Sequence, residues 1–324
     1  MKAKTLGRTG IEVSTVGLGT AFLAIPDADD VAGAYDGTGR LFPVDEDLGV
    51  ATVHAALESG CALIDTAPLY CHTESENMIG RALRERPDLA AGCTVTTKVG
   101  QQFTCVDHSY DAVMRDVAGS VERLGMDRFT ILYIHDPMSV PMREVMGKNG
   151  SYAALRKLQD QDVVDYIGVA ANHPETNADY IETGEFDAAV VPEGWSLLNR
   201  WAERRIFPAA EKHNVGLVLA TPLERGLLAT GPEDSGKGYL NRVFNAEVLE
   251  HVRKIQAVCA EYRVPLNAAA IQWCVRHPLV TATIPGARTP EEAKASGMAM
   301  LFEIPDTFWI DLKPLVRHWD VAIL

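Results

Sequence analysis

Short, continuous apolar runs recur along the chain, and each is followed by a stretch in which apolar residues return every three or four positions. The runs cover residues 16–19, 63–65, 94–98, 131–135, 166–170, 188–192, 216–220 and 281–284. Runs that are apolar throughout, rather than alternating, suit strands covered on both faces, as in a parallel sheet. Between them, residues 47–59 place Val50, Val53, His54 and Leu57 at helical spacing, with Gly60 as a stop. Residues 110–124 set Val113, Val117 and Val121 on one face, and Gly125 follows. Similar patterns predict helices over 153–161, 176–183, 202–212, 247–262, 266–275 and 290–300. Eight strands alternating with helices give an α/β protein, with a (β/α)8 barrel as the leading fold. Periodicity alone leaves a doubly wound open sheet as the rival.

Two stretches break the alternation. Residues 24–44 are rich in Asp, Gly and Pro, and residues 226–245 include TGPEDSGKGYLN. On a barrel both would be long loops on the face where the strands end, the face that carries active sites. The opening KAKTLGRTGIEVS reads as a β-hairpin turning at residues 8–10. The 324 residues read as one domain spanning 1–324, large enough to bury a core without disulfide or metal support.

Composition narrows the function. A formal net charge of -14 disfavours binding to phosphate backbones or anionic lipid, so neither a nucleic-acid nor a membrane partner is expected. The six cysteines, Cys61, Cys71, Cys93, Cys105, Cys259 and Cys274, include no C-x-x-C pair, so they read as reduced thiols and no metal site is expected. The first residues, MKAKTLGRTGIEVS, lack the apolar run of a signal peptide, and no stretch is long and apolar enough to span a membrane. A cytoplasmic protein, monomeric or weakly homo-oligomeric, is expected.

The candidate chemistry lies at the strand ends. Asp65 in ALIDTAPLY, Tyr70 five residues later, Lys98 in TVTTKVG and His135 in ILYIHDP lie at or just beyond the ends of three successive strands. Each alone has an ordinary explanation as a cap, a solvated terminus or a packed ring. In a barrel, successive strand ends converge on one mouth, where a carboxylate, a phenol, an ammonium and an imidazole would meet. A free tyrosine has a pKa of about 10. A neighbouring Lys98 cation is expected to pull it down, with Asp65 holding Lys98 and His135 orienting a substrate oxygen. That set suits hydride transfer coupled to proton transfer, with Tyr70 giving a proton during reduction and taking one during oxidation.

In order along the chain, LGRTGIEVSTVGLGT, LIDTAPLY, SENMIGRAL, TTKVG, IHDP and IPGARTPEEA resemble the landmarks of the aldo-keto reductase family, over residues 6–296. The resemblance implies the (β/α)8 barrel, a nicotinamide cofactor (NAD or NADP), and a catalytic tetrad on Asp65, Tyr70, Lys98 and His135. It places cofactor contacts at Gly19, Thr20, Asp65 and Asn172. Pro222, Leu223, Arg225, Gly226 and Leu227 fall on its pyrophosphate loop, and Gly286, Ala287, Arg288 and Glu292 on its adenosine loop. Thr289-Pro290 then opens a helix whose N-terminal amides suit an anion. The HDP after the fourth barrel strand resembles the aldose dehydrogenase branch, which oxidises a sugar at its anomeric carbon and also contains enzymes acting on pyridoxal.

The departures matter as well. The family's usual glutamine after the sixth strand falls on Pro192, and an aromatic that covers the nicotinamide falls on Ala220. Trp195 is the candidate replacement and a candidate substrate contact beside Tyr70 and His135, and Tyr35, Phe42 and Phe103 are further candidate walls. Relatives that prefer NADP often carry Lys, Ser and Arg at the positions held by Gly286, Ala287 and Glu292. A carboxylate at Glu292 disfavours a 2′-phosphate, so NAD is the expected preference. The leading function is an NAD(P)-dependent aldose dehydrogenase acting on a small sugar or aldehyde. A reductase of small aldehydes or ketones uses the same tetrad in reverse, and a cofactor-binding regulatory subunit is the alternative outside enzymes.

Overall fold

The computed structural model describes residues 1–25, 44–233 and 244–319. The chain opens with the expected hairpin, β1 (Ala3–Thr5) paired antiparallel with β2 (Glu12–Ser14). Its turn contains one 3-10 turn, Gly7–Thr9, and Gly10 closes it in the left-handed region at φ 72°. The hairpin seals one end of the barrel. Leu6 is fully buried among the residues of the barrel interior, and Lys4 Nζ donates to the carbonyls of Val275 (2.6 Å) and Val280 (2.9 Å).

Eight parallel strands follow: β3 (Leu18–Gly19), β4 (Leu63–Asp65), β5 (Thr94–Val99), β6 (Phe129–His135), β7 (Val164–Ala170), β8 (Ala188–Val191), β9 (Gly216–Ala220) and β10 (Val280–Ile284). Each pairs with the next in sequence, and parallel bridges from Val16 to Thr283 and from Gly19 to Gly286 join the two ends. This is a (β/α)8 barrel with an N-terminal hairpin, and the open sheet is set aside. The sixth barrel strand stops at Val191, one residue short of the expected Pro192, which has no N–H to give a ladder.

The interior is filled by side chains from most of the strands, among them Leu63, Ile131, Tyr133, Val190, Val218 and Ile284. Tyr133 fits because β7 supplies Gly168 beside it; a Cβ there would lie 2.3 Å from the tyrosine ring. The larger core lies between the strands and the surrounding helices. The helices Glu46–Glu58, Tyr110–Leu124, Ser151–Asp160, Pro174–Glu182, Ile206–His213, Ala246–Tyr262, Leu266–Arg276 and Pro290–Leu301 lie within a few residues of the expected ones. Asp45, Ser109, Asn245 and Thr289 cap four of them with side-chain oxygens.

Two helices of seven or more residues, Glu74–Glu85 and Asp306–Leu312, have no counterpart among the expected ones, nor do the four-residue helices Pro87–Ala90, Met142–Val145 and Leu227–Thr230. The first hides its core face because a charged residue, Glu76, is buried in it. That carboxylate accepts from Thr97 Oγ1 (2.6 Å), Ser120 Oγ (2.9 Å) and Arg123 Nε (2.7 Å), which satisfies the buried charge. Of the two long loops, residues 26–43 and 234–243 lie outside the described residues. The second loop starts with a short helix, Leu227–Thr230. No helix among the described residues is long and apolar enough to cross a membrane.

Candidate active site

Asp65 ends β4, Lys98 is the penultimate residue of β5, and His135 ends β6; these three strands are neighbours. Their side chains therefore reach one mouth from adjacent strands. Lys98 Nζ donates to Asp65 Oδ1 at 2.5 Å and to the Thr66 carbonyl at 2.9 Å. Thr96 Oγ1 donates to the other Asp65 oxygen at 3.1 Å. Both charged residues are almost wholly buried, at 3% and 1% exposure. Ionised groups tolerate that only when paired and hydrogen-bonded, as these are.

Tyr70 follows β4 by a short turn in which its N–H donates to the Ala67 carbonyl at 3.0 Å. The next three residues, Cys71, His72 and Thr73, all have positive φ, at 50°, 55° and 76°. For residues with a Cβ that conformation costs on the order of 1 kcal/mol each. The strained run is held by Cys71 Sγ against the Leu23 carbonyl (3.3 Å) and by the His72 ring on Phe103, with centroids 3.5 Å apart. It delivers the Tyr70 ring to a point 4.5 Å from Lys98 Nζ and 5.7 Å from the His135 ring, edge to face at 88°. All four expected residues thus come together.

Burial dominates their proton affinities. It pushes the Tyr70 phenol well above its usual range, with further upward pushes from the Asp65 and Asp136 carboxylates. The expected downward pull of Lys98 on the phenol is therefore overridden, because desolvation and two carboxylates disfavour a phenolate more than one ammonium favours it. Burial also draws Lys98 down, opposed by Asp65. His135 lies well below the usual imidazole range, from burial and then from Lys98 and His108, so it is neutral. Its Nδ1 is buried with no hydrogen-bond partner among the described residues.

Asp136, the middle residue of HDP in the sequence, joins this group. It is buried and in the left-handed region at φ 44°, and its Oδ2 lies 3.9 Å from His135 Nε2. Burial raises its carboxyl to about 6. Its oxygens accept from the backbone N–H of Asn172 (2.7 Å) and from Asn172 Nδ2 (2.9 Å). Behind it lies His108, also buried, with Nδ1 3.1 Å from Ser151 Oγ. Gly100 makes room for that ring, since a Cβ there would meet His108 Nδ1 at 2.2 Å. Neither Asp136 nor His108 stands out by spacing, although an acid next to a strand-end histidine is a usable signal.

The expected cofactor residues lie at the strand ends and on the loops of the same face. Gly19 pairs with Gly286 across the barrel seam, and Thr20 Oγ1 donates to the Asp65 carbonyl at 2.8 Å. A Cβ on Gly286, which is exposed, would meet no atom of the described residues within 4 Å. Beyond β9, Pro222 and Leu223 lead to Arg225 (φ 55°), Gly226 (φ 103°) and Leu227, which starts the short helix. Arg225 Nη2 pairs at 3.0 Å with Glu193, a buried carboxylate next to Pro192. Beyond β10, Ala287 is buried, and Arg288 pairs with Glu292 through Nη2 at 2.7 Å while its backbone N–H donates to the same carboxylate at 2.8 Å. Both arginines are thus already matched by carboxylates.

The candidate walls fare differently. Trp195 is buried in the helical layer against Phe207, Trp273 and His277, with Trp273 stacked at 6.1 Å. None of those contacts belongs to the mouth, so the structure does not bring Trp195 to Tyr70. Phe103 packs on His72, two residues from Tyr70. Tyr35 and Phe42 lie outside the described residues. The described residues hold no cluster of three or more His, Cys, Asp or Glu suited to a metal ion, and four of the six cysteines are buried.

Residues 33–316 match the model of the "Aldo/keto reductase family". The chain is 29% identical over 346 aligned positions to a pyridoxal 4-dehydrogenase of Microbacterium luteolum, covering 96% of each protein. It is 26% identical to a D-threo-aldose 1-dehydrogenase of a Pseudomonas species, over 85% of this chain and 90% of that one. A solved aldo-keto reductase of Bacillus halodurans, in its holo form, superposes with a TM-score of 0.77 at 24% identity, covering 98% of this chain and 97% of that one.

Proposed function

The chain belongs to the aldo/keto reductase family and is an oxidoreductase, and we propose that it is a nicotinamide-dependent dehydrogenase oxidising an aldose at its anomeric carbon to a lactone. The observation that carries this reading is the meeting of Tyr70, Lys98, Asp65 and His135 at one barrel mouth. A nicotinamide, when bound, supplies the hydride acceptor or donor. The residues present suit one: an exposed amide at Asn172, an exposed backbone at Gly286, and the capped N-terminus of the helix Pro290–Leu301.

In this proposal Tyr70 Oη holds the anomeric hydroxyl and takes its proton. Lys98, 4.5 Å from the ring centre, stabilises the phenolate as it forms, and Asp65 keeps the lysine in place. Neutral His135 offers one ring N–H to the same oxygen. Two carboxylates, Asp65 and Asp136, face a single ammonium at the mouth, and this negative balance favours a cationic, oxidised ring over a neutral, reduced one. Arg288 is paired with Glu292 and so is not left as an unmatched cation for a 2′-phosphate, which supports NAD over NADP.

A reductase of small aldehydes or ketones is the second reading. It is favoured by the phenol being held protonated, which is the donating form. The related pyridoxal 4-dehydrogenase adds pyridoxal to the substrates worth testing. The test is absorbance of reduced nicotinamide with fucose, galactose, arabinose, glucose and pyridoxal, each with NAD and with NADP. Growth of the signal with a sugar and NAD is expected. Silence with every sugar, with consumption of NADH or NADPH on simple aldehydes, would replace the proposal by the reductase. Bound nicotinamide with no turnover in either direction would favour the regulatory subunit.

A further inference from the structure

One carboxylate ties the loop after β6 to the loop after β7. Asp136 Oδ1 accepts the Asn172 backbone N–H at 2.7 Å and Oδ2 accepts its side-chain Nδ2 at 2.9 Å, while the Asp136 N–H donates to the Ala170 carbonyl at 2.8 Å. An ionised carboxylate only accepts, so only the NH2 side of the Asn172 amide can face it. The Asn172 carbonyl, Oδ1, is then turned away from Asp136, on a residue that is exposed while Asp136 is buried. Holding this arrangement is costly. Asp136 is a non-glycine residue in left-handed conformation, and it carries a buried charge with no Lys or Arg ion pair among the described residues. Strain and unpaired charge kept together at a mouth point to function rather than to packing.

We propose that Asp136 is a positioning residue of the cofactor site, locking the Asn172 amide so that Oδ1 is presented as the acceptor for the carboxamide NH2 of a nicotinamide. This rests on the dinucleotide reading above. It gives Asp136 a role that acts through Asn172 and not on the substrate.

The lock has a pH signature. The groups around Asp136 are Lys98 from β5, Asp65 from β4, Tyr70 from the turn after β4, His135 at the end of β6 and His108 from the loop after β5. The two histidines are held neutral, with His108 drawn down to about 4, and Lys98 is tied to Asp65. Asp136 is raised to about 6 by burial, so its carboxyl titrates just below neutrality. Protonation turns one acceptor oxygen into an O–H donor facing an N–H of Asn172, and the amide is released. Cofactor affinity should fall as pH falls through about 6.

The test is the NADH dissociation constant, from the change in nicotinamide fluorescence, for wild type, Asp136→Asn, Asn172→Ala and the double variant between pH 5 and pH 8. Thermal melting of each protein accompanies it. Wild type should bind more weakly at pH 5 than at pH 7.5. Asp136→Asn should weaken binding about tenfold at pH 7.5, roughly the effect of losing one charge-assisted hydrogen bond. It should also flatten the pH dependence, and add no further loss in the Asn172→Ala background. Unchanged affinity in a folded Asp136→Asn protein, or a loss of the same size with and without Asn172, would overturn the assignment alone. A wild type that binds no NADH, or an Asn172→Ala variant of full affinity, would overturn it together with the cofactor site it rests on. The wild-type pH profile does not depend on any variant folding, and a flat profile also overturns the lock.

Discussion

Lys98 Nζ lies 4.5 Å from the centre of the Tyr70 ring, yet its short hydrogen bond, at 2.5 Å, goes to Asp65. The ammonium is thus held beside the phenol by a third residue. Lys98→Met should lower kcat by about 10²–10⁴, the usual range for losing a group in proton transfer. It also strands a buried carboxylate, for which a stability loss of about 3–5 kcal/mol is expected. Melting curves should show that loss, and Lys98→Met combined with Asp65→Asn should recover much of the stability and none of the activity. Recovery of activity in the double variant would contradict a direct role for the ammonium.

The direction of the Tyr70 shift sets a pH dependence. Burial and the two carboxylates raise the phenol, so across the neutral range it is protonated. Oxidation needs a proton acceptor, so its kcat/KM should climb as pH rises from about 7 to about 9, the phenolate fraction growing tenfold per pH unit. Reduction needs the protonated phenol and should be flat over the same range. An oxidation rate that falls between those pH values would assign the proton to another group.

Arg288 and Glu292 neutralise one another on the loop after β10, through Arg288 Nη2 at 2.7 Å and the Arg288 backbone N–H. Glu292→Gln removes the negative charge and leaves Arg288 free to meet a phosphate. The ratio of kcat/KM for NADP to that for NAD should rise about tenfold, equivalent to about 1.4 kcal/mol. Steady-state rates with both cofactors measure it, and a ratio unchanged or lowered would remove Glu292 from cofactor selection.

Much of the fold is legible in the sequence because both of its signals are local. Continuous short runs such as residues 131–135 suit strands covered on both faces, and the caps Ser109 and Asn245 sit where the helical spacing begins. Helix Glu74–Glu85 escapes because the charge that marks it as a surface segment, Glu76, is buried and satisfied by Thr97, Ser120 and Arg123, partners 21 to 47 residues away. The candidate site divides in the same way. Asp65, Lys98 and His135 are legible because strand ends converge by geometry alone. The Asp136–Asn172 contact spans 36 residues and the Arg225–Glu193 contact 32, between loops whose paths no periodicity encodes. Trp195 shows the converse. An aromatic on a loop after a barrel strand suggests a pocket wall, but it turns outward and fills the helical layer beside Phe207 and Trp273.

The most direct test of Tyr70 as the proton-transfer group is Tyr70→Phe, assayed for turnover with the preferred substrate and, separately, for NADH binding by fluorescence. The substitution removes one hydroxyl and keeps the ring against Lys98 and His135, so the fold and the cofactor affinity should stay near wild type. Turnover should drop by about 10²–10⁴. Full turnover in the folded variant would contradict the assignment of the proton to Tyr70.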